Sequence, residues 1–184
     1  MNSELEAKFK IEEDDVKTLI NRLKKLKAGH RYDRLEINTF FDRKKLHRNK
    51  NELLRLREAK SGKNTEYIVT FKRKKKRDGD GLKYQDEFEY TVSCGEKFSQ
   101  VLENMGYEKV FLFEKKRRSY LLDNCLVEID EIPQLGFFCE VEGANSKAIE
   151  QVLARIGYSD AKLISIGYGT LIKKYLNKNS ELRF

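Results

Sequence analysis

Apolar and charged residues alternate along much of this chain, and the alternation begins near its first residue. From Glu4 to Ile11, charged side chains occupy every second position and apolar side chains lie between them. Successive side chains of a β-strand point to opposite faces, so Glu4, Glu6 and Lys8 are predicted to share one face. The segment is therefore predicted to be a strand with one charged and one apolar face.

The same period of two returns in later segments, which are predicted as further strands. They lie at residues 54–57, 67–72, 87–90, 111–120, 125–130 and 137–142. The connections are short, and Asp78–Gly81 has the composition of a hairpin turn. The strands are therefore predicted to pair in antiparallel fashion.

Apolar residues at the helical period of 3.6 predict helices between these strands. They span residues 16–26, 98–105, 148–156 and 171–176. Asp14 is predicted to cap the first helix, and Gly106 and Gly157 to end the second and third. Together the strands and helices predict an α+β fold with a mostly antiparallel sheet.

The composition is that of a folded and strongly charged protein. Charged residues make up 37% of the 184 residues and hydrophobic residues 39%, and the hydrophobic residues are periodic rather than sparse. This length suits one domain that covers residues 1–184. The formal net charge of +8 favours anionic partners such as nucleotides, polyphosphates or nucleic acid.

The cysteines and histidines limit the chemistry that is expected. Cys94, Cys125 and Cys139 show no C-x-x-C spacing, and the histidines are His30 and His47. These features predict the reduced thiols of a cytoplasmic protein instead of a disulfide framework or a zinc site. The sequence contains no signal peptide and no long apolar run, so neither secretion nor a membrane-spanning segment is expected.

Carboxylates recur in pairs two residues apart, which places both members of a pair on one strand face. The pairs are Glu4/Glu6, Glu87/Glu89, Glu128/Asp130 and Glu140/Glu142. Like charges at this spacing repel unless a cation lies between them, and hard divalent cations such as Mg²⁺ and Mn²⁺ take carboxylate ligands. A charged face in contact with water is the alternative for any single strand.

A sheet that closes into a barrel would gather these charged faces around one tunnel. The candidate inward bases are Lys8, Arg55, Arg57, Lys72, Lys115 and Arg117. Their six positive charges would face the eight negative charges of the four carboxylate pairs. Two bound divalent cations would therefore give the interior a net positive charge. A charged interior is costly unless it binds a charged ligand, and a triphosphate carries roughly four negative charges. The pattern therefore indicates a metal-dependent polyphosphate site.

The chain resembles the CYTH family, which groups class IV adenylyl cyclases and thiamine triphosphatases among the triphosphate tunnel enzymes. The similar segments extend over nearly the whole chain and are Glu4–Lys8, Asn38–Asp42, Leu54–Glu58, Thr70–Lys72, Lys115–Tyr120 and Glu128–Glu142. The E-x-E-x-K triplet alone is weak evidence, whereas the ordered set is specific. The resemblance implies an antiparallel closed β-barrel of about eight strands, a triphosphate tunnel, with helices packed outside.

The resemblance also implies roles for individual residues. The implied ligands of Mg²⁺ or Mn²⁺ are Glu4, Glu6, Glu140 and Glu142, with Asp130 contributing. The implied phosphate-binding residues are Lys8, Arg55, Arg57, Lys72, Lys115 and Arg117. The implied catalytic residues are Lys8, Arg55, Arg57 and Asp130. Tyr168 resembles the family's C-terminal tyrosine, but Gly167 stands where a serine is commoner and Gln85 where an arginine is often found.

Two activities are compatible with this resemblance. A cyclase would join the ribose 3′-hydroxyl of ATP to its α-phosphorus, giving cyclic AMP and pyrophosphate. A triphosphatase would hydrolyse inorganic tripolyphosphate, thiamine triphosphate or a nucleoside triphosphate. The stretch Asp130–Phe138 looks closest to the cyclase branch, which makes the cyclase the first expectation and the hydrolase the second.

A binding module is the rival interpretation from a different functional class. The basic run Arg73–Arg77 beside the predicted turn could contact nucleic acid through its phosphates. No basic surface interleaved with aromatic residues accompanies it, so a solvated hairpin tip is preferred and nucleic acid is not expected as a partner. The sequence leaves open whether the chain forms a homodimer.

Overall fold

The computed structural model describes residues 2–43, 52–74, 83–173, 175–176 and 180–184. The strands in these residues are β1 Asn2–Ile11, β2 Gly29–Arg43, β3 Glu52–Ser61, β4 Asn64–Lys74, β5 Lys83–Val92, β6 Tyr107–Leu122, β7 Cys125–Ile132, β8 Gly136–Gly143 and β9 Glu181–Leu182. The helices are α1 Glu13–Lys25, α2 Gly95–Asn104, α3 Ser146–Ile156 and α4 Tyr168–Ile172.

The strands β1 to β8 close into an antiparallel barrel. Hydrogen bonding follows the order β2-β3-β4-β5-β1-β8-β7-β6, and β6 pairs in turn with β2. This last pairing runs from Gly29 opposite Leu121 to Arg43 opposite Tyr107. The short β9 adds a parallel pairing beside β6. The prediction of an α+β fold built on a closed antiparallel barrel of about eight strands is confirmed.

The strand β2 is one that the alternating pattern does not reveal by itself. Its register with β6 shifts between His30 and Tyr32 and again between Phe40 and Phe41. Such irregularities move later side chains to the other face, so a period of two is not kept along the whole strand. The family resemblance points to this strand through the segment Asn38–Asp42, which covers its second half.

The apolar faces of the strands point outward and are covered by helices. On β1 and β7, Ala7 and Val127 are fully buried together with Ile149 of α3. On β3, Leu56 packs with Leu102 of α2. The arrangement inverts that of a small barrel filled with apolar side chains, because the charged strand faces point into the interior.

The short helix α4 covers one end of the barrel. Its Tyr168 and Ile172 are buried in a cluster with Phe113 and Phe138. Gly169 permits the close approach, because a Cβ atom at this position would lie 3.1 Å from Cζ of Phe111. The helix therefore places Tyr168 at the end of the interior.

The predicted helix ends are partly correct. Gly106 and Gly157 follow α2 and α3 with φ of +84°, in the left-handed region that glycine adopts without strain. The prediction for Asp14 was wrong: Glu12 precedes α1, and Asp14 lies in its first turn, where a carboxylate favours the positive end of the helix dipole. The last helix, predicted at residues 171–176, is displaced, because α4 begins at Tyr168 and ends at Ile172.

The strands β4 and β5 form the predicted hairpin, since they pair antiparallel as far as Lys74 opposite Gln85. The predicted turn at Asp78–Gly81 and residues 75–77 of the basic run lie outside the described residues. Among the described helices, none has the length and apolar character needed to cross a membrane.

Candidate active site

The barrel encloses a cavity of about 860 Å³. It is lined by all of the predicted phosphate-binding residues, Lys8, Arg55, Arg57, Lys72, Lys115 and Arg117. It is also lined by the carboxylates Glu6, Glu87, Glu89, Glu128, Glu140 and Glu142. Asp130 is fully buried beside the cavity, and the side chain of Glu4 lies outside the described part of the structure. Closure of the barrel thus brings together charged residues from both ends of the chain.

Lys8 lies between two carboxylates that are far apart in the sequence. Its Nζ is 3.2 Å from Oε1 of Glu6 and 2.9 Å from Oε1 of Glu140. Burial by itself would lower the pKa of Lys8, but Glu140 and Glu6 outweigh this effect and raise the pKa above its ordinary value. Lys8 therefore carries a fixed positive charge at the cavity wall.

Arg117 contacts three carboxylates at once. Its Nε and Nη2 donate to the two oxygens of Asp130, each at 2.6 Å. The same guanidinium also contacts Glu128 and Glu140. Burial raises the pKa of the Glu128 carboxyl, and the charge of Arg117 offsets part of this increase. A planar guanidinium held by several carboxylates has a fixed orientation, so Arg117 is a rigid part of the site.

Lys115 lies deeper than its sequence neighbour Lys116. Its Nζ is 3.1 Å from Oδ2 of Asp130 and 3.4 Å from Oε2 of Glu36, whereas Lys116 is exposed on the outer face. Burial, and next the charge of Arg117, lower the pKa of Lys115. Asp130 thus orients two of the predicted phosphate-binding residues.

Glu36, on β2, is a site residue that sequence reasoning missed. It is fully buried, and its Oε1 accepts a hydrogen bond from Nε of Arg34 at 2.6 Å. Its Oε2 lies 3.4 Å from both Nε of Arg57 and Nζ of Lys115. Burial opposes ionisation of Glu36, but Arg57 and Lys115 hold its pKa well below the ordinary value. Glu36 is therefore an ionised counter-ion among several bases.

Other residues of β2 that belong to the site are Tyr32 and Asn38. The Tyr32 hydroxyl donates to Oε1 of Glu128 at 3.0 Å, and Oδ1 of Asn38 accepts from Nε of Arg57 at 3.3 Å. Tyr32, Arg34, Glu36 and Asn38 alternate along the strand, and this spacing is the signal that could have identified them. The mixture of side-chain types on this face makes that signal weak.

Arg55 and Lys72 pair with the carboxylates of β5. Nη2 of Arg55 is 3.3 Å from Oε1 of Glu89, and Lys72 contacts Glu87. Burial, and next the nearby charge of Arg57, lower the pKa of Arg55 to about 10. Glu87 and Glu89 therefore act here as partners of the bases on β3 and β4.

Tyr168 of α4 contacts two of the lysines. Its ring centroid is 4.3 Å from Nζ of Lys8 and 5.1 Å from Nζ of Lys115, which is within the range of cation–π contacts. Burial, and next the charges of Asp130 and Glu140, raise the pKa of Tyr168 well above its ordinary value. The phenol stays protonated, so no further negative charge enters the cavity.

The donor chemistry of the cavity suits a hard divalent cation. Glu6, Glu140 and Glu142 all line it, and Glu6 lies directly opposite Glu142 in the pairing of β1 with β8. Carboxylate oxygens are the ligands that Mg²⁺ and Mn²⁺ prefer. Within the described side chains, no three metal-binding groups lie close enough to form a complete site, and Glu4, a further predicted ligand, is not among those side chains.

The barrel is closed, its interior carries charged side chains, and helices cover its apolar outer faces. These features together define a tunnel fold. The chain belongs to the CYTH domain family, whose model matches residues 2–167. The resemblance inferred from the ordered sequence motifs is thereby confirmed.

Similar proteins extend over nearly the same length. A protein of Methanocaldococcus jannaschii named "putative adenylate cyclase" is 26% identical over 180 residues, which cover 92% of this chain and 95% of that protein. A Vibrio parahaemolyticus structure with the same name has a TM-score of 0.76 at 17% identity, covering 92% of this chain and 97% of its own. A Hippeastrum structure, described as a "putative adenylyl cyclase" that reveals a dominant triphosphatase activity, has a TM-score of 0.71 at 16% identity, covering 94% of this chain and 96% of its own. The two structures support the fold.

Proposed function

We propose that this protein is a divalent-metal-dependent enzyme that acts on a triphosphate bound inside the barrel. The first candidate reaction is the conversion of ATP to cyclic AMP and pyrophosphate. The observation that carries the proposal is the convergence of six basic side chains on one cavity of about 860 Å³. Guanidinium and ammonium groups are the usual partners of phosphate oxygens. Membership of the CYTH family supports the same class of substrate.

The bases would orient the phosphates and stabilise the charge that develops during reaction. Arg55 and Arg57 would bind phosphate oxygens through forked donors, and Lys8 would supply a compact positive charge. In cyclisation, negative charge accumulates on the leaving pyrophosphate. Cations that are already held beside it stabilise that charge most effectively. Asp130, through its contacts with Lys115 and Arg117, would keep two further bases in place.

The carboxylates would hold the metal. Glu4, Glu6, Glu140 and Glu142 are the proposed ligands of Mg²⁺ or Mn²⁺, which when bound supplies Lewis-acid polarisation of phosphate oxygens. Asp130 is proposed to contribute indirectly, by holding Lys115 and Arg117 beside the cavity.

Hydrolysis of the triphosphate is the second candidate reaction. Thr170 and Lys173 are exposed and also line the cavity, so the cavity reaches solvent beside α4, which covers only part of that end of the barrel. Water that reaches the bound triphosphate could attack phosphorus in place of the ribose hydroxyl. The same basic residues would serve both reactions, and the substrate would be inorganic tripolyphosphate, thiamine triphosphate or a nucleoside triphosphate.

Product analysis tests the proposal directly. The protein is incubated with Mg²⁺ or Mn²⁺ and with ATP, tripolyphosphate or thiamine triphosphate, and the products are separated and identified. Cyclic AMP with pyrophosphate would identify a cyclase, and free phosphate a hydrolase. Absence of turnover with every substrate and both metals would contradict an enzymatic function. If the protein instead bound oligonucleotides without metal and in a salt-sensitive way, a nucleic-acid-binding module would be favoured.

Adjacent residues on β4 provide a matched pair of variants for the same assay. Lys72→Met removes a base that lines the cavity, and kcat/KM is expected to fall about 100-fold. Arg73→Met removes a neighbouring base that is exposed, and activity is expected to stay within about twofold. Equal losses in both variants would contradict a site inside the barrel.

A further inference from the structure

The chain returns to the barrel after α4 and adds its short strand β9 to β6. The backbone N–H of Leu112 donates to the carbonyl oxygen of Ser180 at 3.0 Å, and Leu182 pairs in parallel with Phe113. Along this stretch β2 occupies one edge of β6, and the pairing of β7 with the other edge ends at Lys116. The strand β9 therefore continues along the edge that β7 leaves.

Side chains beside β9 anchor it to β6. Nη1 of Arg183 donates to Oε1 of Glu114 at 2.7 Å, and the backbone N–H of Phe184 donates to Oε2 of the same carboxylate at 3.1 Å. Nζ of Lys116 lies 3.9 Å from the ring centroid of Phe184. Residues 181–184 are thus held by side-chain contacts as well as by strand pairing.

Leu182 connects β9 to α4. Its side chain is fully buried and packs in the cluster that contains Tyr168 and Ile172 of α4. The helix has five residues, and helices this short are not stable without packing. Leu182 therefore provides part of the apolar contact that keeps α4 docked on the barrel.

Docking of α4 determines where the ring of Tyr168 lies. This ring contacts the ammonium groups of Lys8 and Lys115, which are both proposed to bind phosphate. The contacts confine the two lysines before a ligand arrives, so less freedom is lost when they bind an anion. The position of α4 therefore affects how well the cavity binds a triphosphate.

We propose that residues 181–184 form a latch that holds α4 against the barrel and so positions Tyr168 beside the phosphate-binding lysines. Leu182 is the positioning residue of this latch, because it contacts the α4 cluster and is not among the residues that line the cavity. The inference rests on the proposed binding of a triphosphate by the bases of the barrel. Residues 181–184 lie beyond the match to the family model, so membership of the family does not by itself imply the latch.

Hydrogen–deuterium exchange tests whether the latch holds α4. The N–H groups of Thr170 and Leu171 donate to the carbonyl oxygen of Gly167 at 2.9 and 3.2 Å, so they are protected only while α4 is formed. In Leu182→Ala, exchange at these two groups is expected to be about tenfold faster than in the wild type. Leu182→Val, a smaller truncation, is expected to show the same change to a lesser extent.

Leu19→Ala is the matched control, because Leu19 is an equally buried leucine in the separate apolar cluster around α1 and α3. Both alanine variants are expected to have a lower Tm, since each loses buried apolar contacts. In Leu19→Ala, however, exchange in α4 is expected to keep the wild-type rate. Equal exchange in α4 of the wild type and both Leu182 variants would overturn the latch.

Calorimetry with Mg²⁺ and a methylene-bridged tripolyphosphate analogue, which cannot be hydrolysed, tests the positioning of Tyr168. The Kd is expected to increase about tenfold in Leu182→Ala and to stay unchanged in Leu19→Ala. Tyr168→Ala is expected to weaken binding to the same extent, and the double variant no further, because Leu182 acts through Tyr168.

Two results would overturn the positioning role while leaving the triphosphate site intact. They are an unchanged Kd in Leu182→Ala, and losses of affinity that add in the double variant. A wild-type protein that does not bind the analogue would overturn the proposed function, and the positioning role with it.

Discussion

Glu36 shows how a single buried charge is accommodated inside the barrel. It does not line the cavity, and it contacts Arg34, Arg57 and Lys115, which do. An isolated carboxylate in this position would be very costly, and so would the bases without it. Glu36 therefore acts as an internal counter-ion that holds several bases together when no anion lies between them.

Replacing Glu36 tests this role. Glu36→Gln keeps the shape of the side chain but leaves buried bases without their counter-ion, so the free energy of unfolding is expected to fall by roughly 3 kcal/mol. Tripolyphosphate can compensate the same bases, so it is expected to raise the Tm of the variant more than that of the wild type. Thermal unfolding with and without tripolyphosphate measures both effects.

Glu114→Gln is the control for this experiment. Glu114 is also nearly buried on the adjacent strand, but it pairs with the exposed Arg183 outside the cavity. The loss is expected to be about 1 kcal/mol, without any added response to tripolyphosphate. A ligand-induced rise in Tm that is equal in wild type and Glu36→Gln would contradict the counter-ion role.

At the scale of the elements, the end of α3 is coupled to α1. Gly157 adopts φ of +84° just after α3, and Nη1 of Arg22 from α1 donates to the carbonyl oxygen of Ile156 at 2.9 Å. A Cβ atom on residue 157 would lie 1.6 Å from that Nη1 atom. The glycine therefore serves both the backbone turn and the contact between two helices.

Substitution of the two helix-ending glycines separates these contributions. Gly157→Ala is expected to lower the free energy of unfolding by about 2 kcal/mol, because it strains the backbone and displaces Arg22. Gly106→Ala has the same φ but no atom within 4 Å of the added Cβ, so about 1 kcal/mol is expected. Urea unfolding measures both values, and equal losses would show that the Arg22 contact contributes nothing.

At the scale of the whole molecule, the charged interior makes stability depend on pH. Glu36 and Glu140 have pKa values well below the ordinary 4.5, held there against burial by neighbouring bases. Glu128 acts in the opposite direction, because burial raises its pKa. The two depressed pKa values outweigh the raised one, so the unfolded chain binds more protons than the folded chain in acid.

Stability is therefore expected to fall as the medium becomes acidic. A group with a depressed pKa stabilises the fold above its unfolded value and loses that contribution as the pH falls through its folded value. The free energy of unfolding in urea is expected to decrease from about pH 4.5 downward, and Glu36→Gln is expected to flatten this decrease. A free energy of unfolding that rises steadily from pH 5 to pH 3 would contradict the depressed pKa values of Glu36 and Glu140.

Much of the barrel could be predicted because strand faces are a local property of the sequence. The alternation at Glu4–Lys8 fixes which side chains share a face, whatever the strand later pairs with. Along β6 the alternation puts Lys115 and Arg117 on one face and Lys116 and Arg118 on the other, and the family resemblance indicated which face turns inward. The first pair lines the cavity, whereas Lys116 is exposed and Arg118 is partly exposed. The helices α2 and α3 were also predictable, because the helical period and the glycine that follows each helix are local properties of the sequence.

The tertiary structure decided which faces meet. Pairing of β2 with β6 closes the barrel, and pairing of β1 with β8 places Lys8 opposite Glu140, which lies more than a hundred residues away. Such pairings depend on long-range packing and on the irregularities of β2, which no local period encodes. The sequence by itself therefore determined a set of charged strand faces, whereas the closure of the sheet turned them into one cavity with Glu36 behind its bases.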